Sequence, residues 1–172
     1  MVDDDPPAPA PADERAGDSR VVRLTASQTH DIRTRVLRAG TPTDDVVWYG
    51  DDHDSTVHLG IVVGASTQPI AISTWLRSSS PDVESPGRPT IGVQLRGMAT
   101  DPSHRGQGQG STLLRAGLGR AQRDGADHVW ANARSAVLDF YLAHGFEVTS
   151  DEFLTTATAI PHRRILRHRH VS

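Results

Sequence analysis

One stretch of ten residues limits the possible folds more than any other: DPSHRGQGQG, Asp101 to Gly110. Three glycines (Gly106, Gly108, Gly110) alternate with glutamines, and a helix-like run, STLLRAGLGRAQ, follows at once. Glycine loses more backbone freedom on folding than any other residue. Three of them at a helix entrance mark a place where the backbone must take unusual angles or be approached closely. Upstream, TIGVQLRGMAT reads as a strand with a mixed face. In a strand, glycine-rich turn and helix arrangement, the free N–H groups of the first helical turn and the positive end of the helix dipole face an anion.

Three phosphate-binding patterns compete for this segment. The P-loop needs Gly-Lys-Ser/Thr, and every one of the 18 Lys+Arg residues in this chain is arginine. The dinucleotide fingerprint G-x-G-x-x-G fails in both frames: its third glycine falls at Ser111 or Leu113. The pyrophosphate loop of acyl-CoA enzymes, Arg/Gln-x-x-Gly-x-Gly/Ala, fits Arg105-Gly106-Gln107-Gly108-Gln109-Gly110 at every position. A plain glycine-rich turn before a surface helix stays open at the level of the hexapeptide, because short motifs match by chance.

Around this segment the elements alternate. VVRLTA is a strand, and SQTHDIRTRVLRAG a helix capped by Ser27 and stopped by Gly40. TPTDDVVWYGDDHDST is a short helix or turn followed by a polar loop. VHLGIVVGA and QPIAISTWLR are strands, and SSSPDVESPGRP is a loop. Ser111 to Asp124 is a helix with Leu114, Leu118 and Ala121 on one face. Gly117 and Gly119 interrupt it at about 1 kcal/mol each against alanine. DHVWANA is a strand, SAVLDFYLAHG a helix ending at Gly145, and FEVTSDEFLTT and AIPHRRILR a last pair of strands. This order gives an α/β domain with a mixed sheet. Residues 1–20, acidic and Pro/Ala-rich with few large apolar side chains, are expected to be a disordered tail, and residues 21–172 a single domain.

The segment QLRGMATDPSHRGQGQGSTLLRAGLGRAQRDGADHVWANARSAVLDFYLAHGFEV, Gln94 to Val148, resembles the GNAT superfamily of N-acetyltransferases. It carries both the glycine loop and the F-Y-x-x-x-G-F ending at the spacing of that family. The resemblance implies a mixed central sheet of about six to seven strands flanked by about four helices, with a splay between the central strands. It also implies acetyl-CoA as co-substrate. Met98, Ala99 and Thr100 would bond the pantetheine arm, and the backbone of Arg105, Gly106, Gln107, Gly108, Gln109, Gly110 and Ser111 the pyrophosphate. Tyr141 takes the position of the family's acid, and a phenol suits that role because it stays protonated at neutral pH. Many relatives carry Asn seven residues before this tyrosine. Here that position is Arg134, with Asn132 two residues earlier, so either could meet the cofactor.

The candidates for general base are Glu152, His162 and His58, or a water chain; histidine has the right intrinsic pKa. Ile160-Pro161-His162 is similar to a strand of some GNAT members near the acceptor cleft. The acceptor is expected to be a primary amine on a small molecule or peptide. Asp51, Asp52, Asp54, Asp82 and Glu84 lie in the loops expected to shape its pocket and hint at a cationic acceptor. An acyl-CoA-binding sensor without turnover is the alternative.

The totals set the remaining bounds. There is no cysteine, which excludes disulfides, a thiolate nucleophile and Cys-based metal sites. The nine histidines show no matched metal-ligand pattern, so no metal is expected. Outside the acidic tail, 16 arginines stand against 15 acids, which does not mark a nucleic-acid binder. The basic C-terminal HRRILRHRH reads as a solvated strand edge. No apolar run reaches the roughly eighteen residues of a membrane span, and the N-terminus is unlike a signal peptide. A soluble cytoplasmic protein is expected, and exposed C-terminal strands would suit a homodimer.

Overall fold

A computed structural model describes residues 18–84, 87 and 89–169 of this chain. Of the tail expected over 1–20, residues 1–17 lie outside the described residues, while Ser19 and Arg20 already belong to the first strand. The strands are β1 (Ser19–Leu24), β2 (Val57–Val63), β3 (Ala71–Arg77), β4 (Gly92–Thr100), β5 (His128–Arg134), β6 (Glu147–Val148), β7 (Phe153–Leu154) and β8 (Pro161–His168). Helix α1 (27–37) lies between β1 and β2, α2 (Gln109–Arg123) between β4 and β5, and α3 (Leu138–Leu142) between β5 and β6.

These strands form one sheet in the order β1-β2-β3-β4-β5-β8-β6, with β7 also pairing to β8. Every pair is antiparallel except β4 with β5 in the middle. The fold is therefore the expected mixed α/β sheet. Its strand count reaches eight because the stretch read as one strand, FEVTSDEFLTT, is split. The hydroxyl of Ser150 accepts the Arg164 N–H at 2.8 Å in place of a backbone carbonyl, which interrupts the ladder between β6 and β7. Among the described residues three helices flank the sheet, because residues 41–56 form turns and loop only.

Side chains alternate across a strand, so neighbours on β3 serve opposite faces. Ala71 and Trp75 join the larger apolar cluster with Leu113, Leu114 and Ala121 of α2. Ile72 joins a smaller cluster with Leu24, Ile32 and Ala99, against which Val36 and Leu37 of α1 pack. Helices thus cover both faces. Helix α1 is irregular: a 3-10 turn at Ser27–Thr29, a short α segment at His30–Ile32 and a π turn at Arg33–Leu37, where Arg38 N donates to Arg33 O five residues back. Isolated π turns often accompany functional sites.

One of the two mid-helix glycines in α2 has a clear structural reason. A Cβ at Gly117 would lie 1.8 Å from a ring carbon of Trp75, so α2 rests directly on the buried indole. At Gly119 an added Cβ meets only the side chain of Arg123, at 3.5 Å. Gly117→Ala should lower stability by about 2 kcal/mol, because overpacking outweighs the roughly 1 kcal/mol of helix propensity that alanine gains. The Tm should fall by about 4–8 °C in a thermal melt. Gly119→Ala, free of that clash, should hold or raise it.

Candidate active site

The central parallel pair is short. β4 and β5 share only three rungs, Gly92↔His128, Val93↔Val129 and Gln94↔Trp130, although β4 runs on to Thr100 and β5 to Arg134. Beyond Gln94 the edge of β4 that faces β5 keeps its backbone donors and acceptors free of strand pairing. A cleft of about 840 Å³ opens there, with Leu95 to Met98 and Thr100 on one wall and Ala131 to Arg134 on the other. β4 also bulges: Gly97 and Met98 oppose the single residue Ser73, since Ile72 pairs with Ala99 and Thr74 with Arg96. Gly97 has φ 59° there. Such bulges re-aim a strand's backbone and often sit beside active sites.

The glycine segment closes one end of the cleft. Asp101 anchors its start: the carboxylate accepts from Ser103 N at 3.0 Å and from Arg35 Nη1 of α1 at 2.7 Å. Gly106 and Gly108 take φ 74° and 77°, conformations that other residues seldom adopt. Helix α2 begins at Gln109, two residues earlier than the sequence suggests, so Gly110 and Ser111 belong to its first turn. Gly108 is the N-cap and supplies no capping side chain. The first-turn N–H groups of a 15-residue helix are therefore left for a partner from outside. Arg105, Gly106, Gly108, Gln109, Gly110 and Ser111 line the cleft. Gln107 does not; its amide donates to Ser103 O. Nor does Ala99, which packs into the smaller apolar cluster.

Tyr141 is buried at the cleft wall, ringed by Phe140 and Phe146 in edge-on contacts at 5.1 and 5.7 Å between centroids. Its hydroxyl donates to Met98 Sδ at 3.7 Å, a weak bond. Burial pushes the phenol up to about 12, although the nearby Arg134 charge works the other way. The phenol is protonated throughout the physiological range.

Of the three proposed bases, only His162 lines the cleft. It sits directly opposite Arg134 in the β5·β8 ladder, which puts both side chains on one face, together with Asn132 two residues before Arg134. His162 Nδ1 lies 2.7 Å from the carbonyl of Ile160. A carbonyl can only accept, so Nδ1 carries the proton and Nε2 is left with its lone pair. Burial holds the imidazole below its ordinary value, and Arg134 adds to that. Glu152 is exposed and away from the cleft. His58 is buried outside it: Nε2 donates to Asp51 O and Nδ1 accepts from the Thr74 hydroxyl, both at 2.9 Å, so both ring nitrogens are engaged.

Sequence reading missed a buried ionic network beneath the bulge. Arg33, fully buried, donates to Asp51 Oδ2 and Oδ1 at 2.5 and 3.2 Å, to Thr74 Oγ1 at 2.8 Å and to Val46 O at 2.8 Å. Arg96 donates to Asp51 Oδ1 at 2.9 Å and to Tyr49 O at 2.7 Å. Trp48 stacks on Arg33 at 3.9 Å and would collide with any side chain at Gly97, where an added Cβ would come within 2.7 Å. Asp51 is thus an internal counter-ion. Asp82 pairs with Arg164. Asp52, Asp54 and Glu84 do not line the cleft either, so the acidic loops provide no cation-binding wall there. Among the described residues no cluster of three or more His, Asp or Glu could hold a metal ion, and no helix is long and apolar enough to cross a membrane.

Comparison with known proteins agrees with this arrangement. The Acetyltransferase (GNAT) domain family matches residues 59–148, just over half of the chain. The N-acetyltransferase YitI of Bacillus subtilis, described as uncharacterized, is 29% identical over 133 residues, covering 77% of this chain and 85% of that protein. Among solved structures, Escherichia coli ElaA superposes with a TM-score of 0.68 at 18% identity, covering 87% of this chain and 99% of ElaA. An acyl-CoA N-acyltransferase of Pseudomonas aeruginosa gives 0.66 at 22% identity, covering 87% and 99%. At those identities the structures speak for the fold.

Proposed function

This chain belongs to the GNAT acetyltransferase family, and from that premise we propose that it moves an acetyl group from acetyl-CoA directly to a primary amine on a small molecule or peptide. The observation that carries the proposal is the three-rung β4·β5 pairing. It leaves a cleft with uncapped helix N–H groups at one end and a phenol and an unprotonated imidazole nitrogen on its walls. The glycine loop and Arg105 suit the pyrophosphate of the donor, and the unpaired edge of β4 beyond Gln94 suits its extended amide arm.

The residues divide the proton transfers. His162 Nε2 takes the proton from the amine as the new N–C bond forms. A backbone N–H near the Met98 bulge stabilises the charge on the carbonyl oxygen. Tyr141 returns a proton to the sulfur as the C–S bond breaks. With no cysteine in the chain, no thiol is present to carry the acetyl group between donor and acceptor, which supports direct transfer.

Calorimetric titration with acetyl-CoA, with free CoA and ATP as comparisons, tests the first half of this reading. Acetyl-CoA should bind in the micromolar range and ATP should not compete. Gly108→Val forces a β-branched residue to φ near 77° beside the phosphate site and should weaken binding by about tenfold or more. Absence of binding to any CoA species would overturn the proposal.

A further inference from the structure

We infer that the amine acceptor also carries a carboxylate, recognised by Arg96 and Arg38 around the indole of Trp48; this inference rests on the acetyltransferase reading above. Among the described residues the cleft lining contains Arg38, Arg96, Arg105, Arg134, His104 and His162 but no aspartate or glutamate. A cationic acceptor would meet no opposite charge on that described lining.

The positive charge falls into two groups. Arg105 lies in the glycine loop, and Arg134, which donates to Leu37 O at 2.8 Å, stands between the groups, feeling the charge of Arg38 and then that of Arg105. The glycine-loop end is accounted for by the phosphates of the donor. The second group surrounds Trp48, whose ring centroid lies 3.9 Å from the guanidinium of Arg33, 5.1 Å from Arg38 and 5.9 Å from Arg96. One carboxylate, Asp51, serves both Arg33 and Arg96, so that trio retains one uncompensated positive charge. Arg38 forms no ion pair among the described residues, although the charge of Asp45 reaches it, and its Nε donates to the Asp45 carbonyl at 2.6 Å. Arg96 lines the cleft next to the Gly97 bulge, and its Nε is shielded from solvent without a hydrogen-bond partner.

Two guanidinium groups on an aromatic wall form a site for a planar anion, since a carboxylate can take two parallel N–H bonds from one guanidinium. Val36, Leu37, Val137 and Phe140 give the same cleft apolar walls for the rest of the molecule. The positive field has a chemical benefit as well. It disfavours the ammonium form of the acceptor and so favours the neutral amine that attacks. An amino acid with an apolar side chain meets all three conditions.

Matched compounds test this. Acetylation would be followed by CoA release with leucine and phenylalanine against 3-methylbutylamine and 2-phenylethylamine, which lack only the carboxylate. Spermidine and phosphoethanolamine provide the cationic and phosphate arms. Binding of N-acetyl-phenylalanine and N-acetyl-2-phenylethylamine to the CoA-saturated protein gives a readout that needs no turnover. The carboxylate member of each pair should be favoured by about tenfold or more, and Arg38→Gln should reduce that preference to about threefold or less. Acetyl-CoA affinity should be retained in that variant. A preference for the neutral amine, spermidine or phosphoethanolamine overturns the inference while leaving the acetyltransferase reading in place, as does acetyl-CoA binding without binding of either N-acetyl compound. Loss of acetyl-CoA binding in the unmodified protein would remove both.

Discussion

Tyr141→Phe is expected to lower kcat about a hundredfold while the Kd for acetyl-CoA stays within about twofold. The substitution keeps the ring that packs edge-on against Phe140 and Phe146 and removes only a hydroxyl whose bond to Met98 Sδ is weak. Stability should therefore hold, and a thermal melt would separate lost chemistry from lost folding. The pH profile adds a second check. In the wild type, kcat should rise with pH through the pKa of His162, which burial holds below 6.5, and then stay level. The acid limb belongs to the base, which must be unprotonated. No alkaline limb is expected below about pH 10, because the Tyr141 phenol is held near 12. In the phenylalanine variant the low-pH limb should persist on a reduced plateau. Unchanged turnover would take the acid role from Tyr141. Acetyl-CoA binding with no turnover on any amine would favour a CoA-binding module instead.

The parts of this site that are legible in the sequence are the parts that are contiguous in it. Arg105 to Gly110 declares itself because the backbone angles it needs are written as glycines within six residues. Tyr141 is found by its local F-Y-x-x-x-G-F setting. The order of strands and helices is equally readable, because it follows from local periodicity. The splay between β4 and β5 is not readable from periodicity, since both strands look continuous and only the register reveals that pairing stops at Gln94. The glutamate of β6 and the phenylalanine of β7 read as one strand because a serine side chain can replace a backbone rung without leaving a pattern. His162 stands apart from Glu152 and His58 as the base candidate only when Ile160 O fixes its tautomer and β8 brings it opposite Arg134. Arg33, Asp51, Thr74 and Arg96 escape entirely. Their hydrogen bonds join residues 18, 41 and 45 positions apart, and Asp51 reads as one more acid in a polar loop.

That hidden carboxylate carries a larger expected stability effect than the glycine under Trp75. Asp51→Asn should destabilise the fold by about 3–5 kcal/mol, because it leaves the buried guanidinium of Arg33 and the partly buried one of Arg96 close together with no counter-charge. A thermal melt should show Tm falling by about 6–20 °C. A drop below about 2 °C would show that the network is not held by charge. Acid should weaken the wild type through the same residue. Burial alone would push the carboxyl up, but the bonds from Arg33 and Trp48 N and the charge of Arg96 outweigh it and hold the group below its ordinary range. A depressed folded-state pKa contributes stability that is complete above the unfolded value, near 3.9, and is lost as pH falls through the folded one. The variant should lose that part of its acid dependence. The functional damage should be lopsided. Asp51 Oδ2 accepts from Trp48 N at 3.0 Å, and Trp48 covers the bulge at Gly97, whereas the glycine loop is anchored separately through Asp101 and Arg35. At a temperature where the variant remains folded, the acceptor KM should rise while acetyl-CoA affinity changes little. Equal losses on both sides would instead mean that the network supports β4 as a whole.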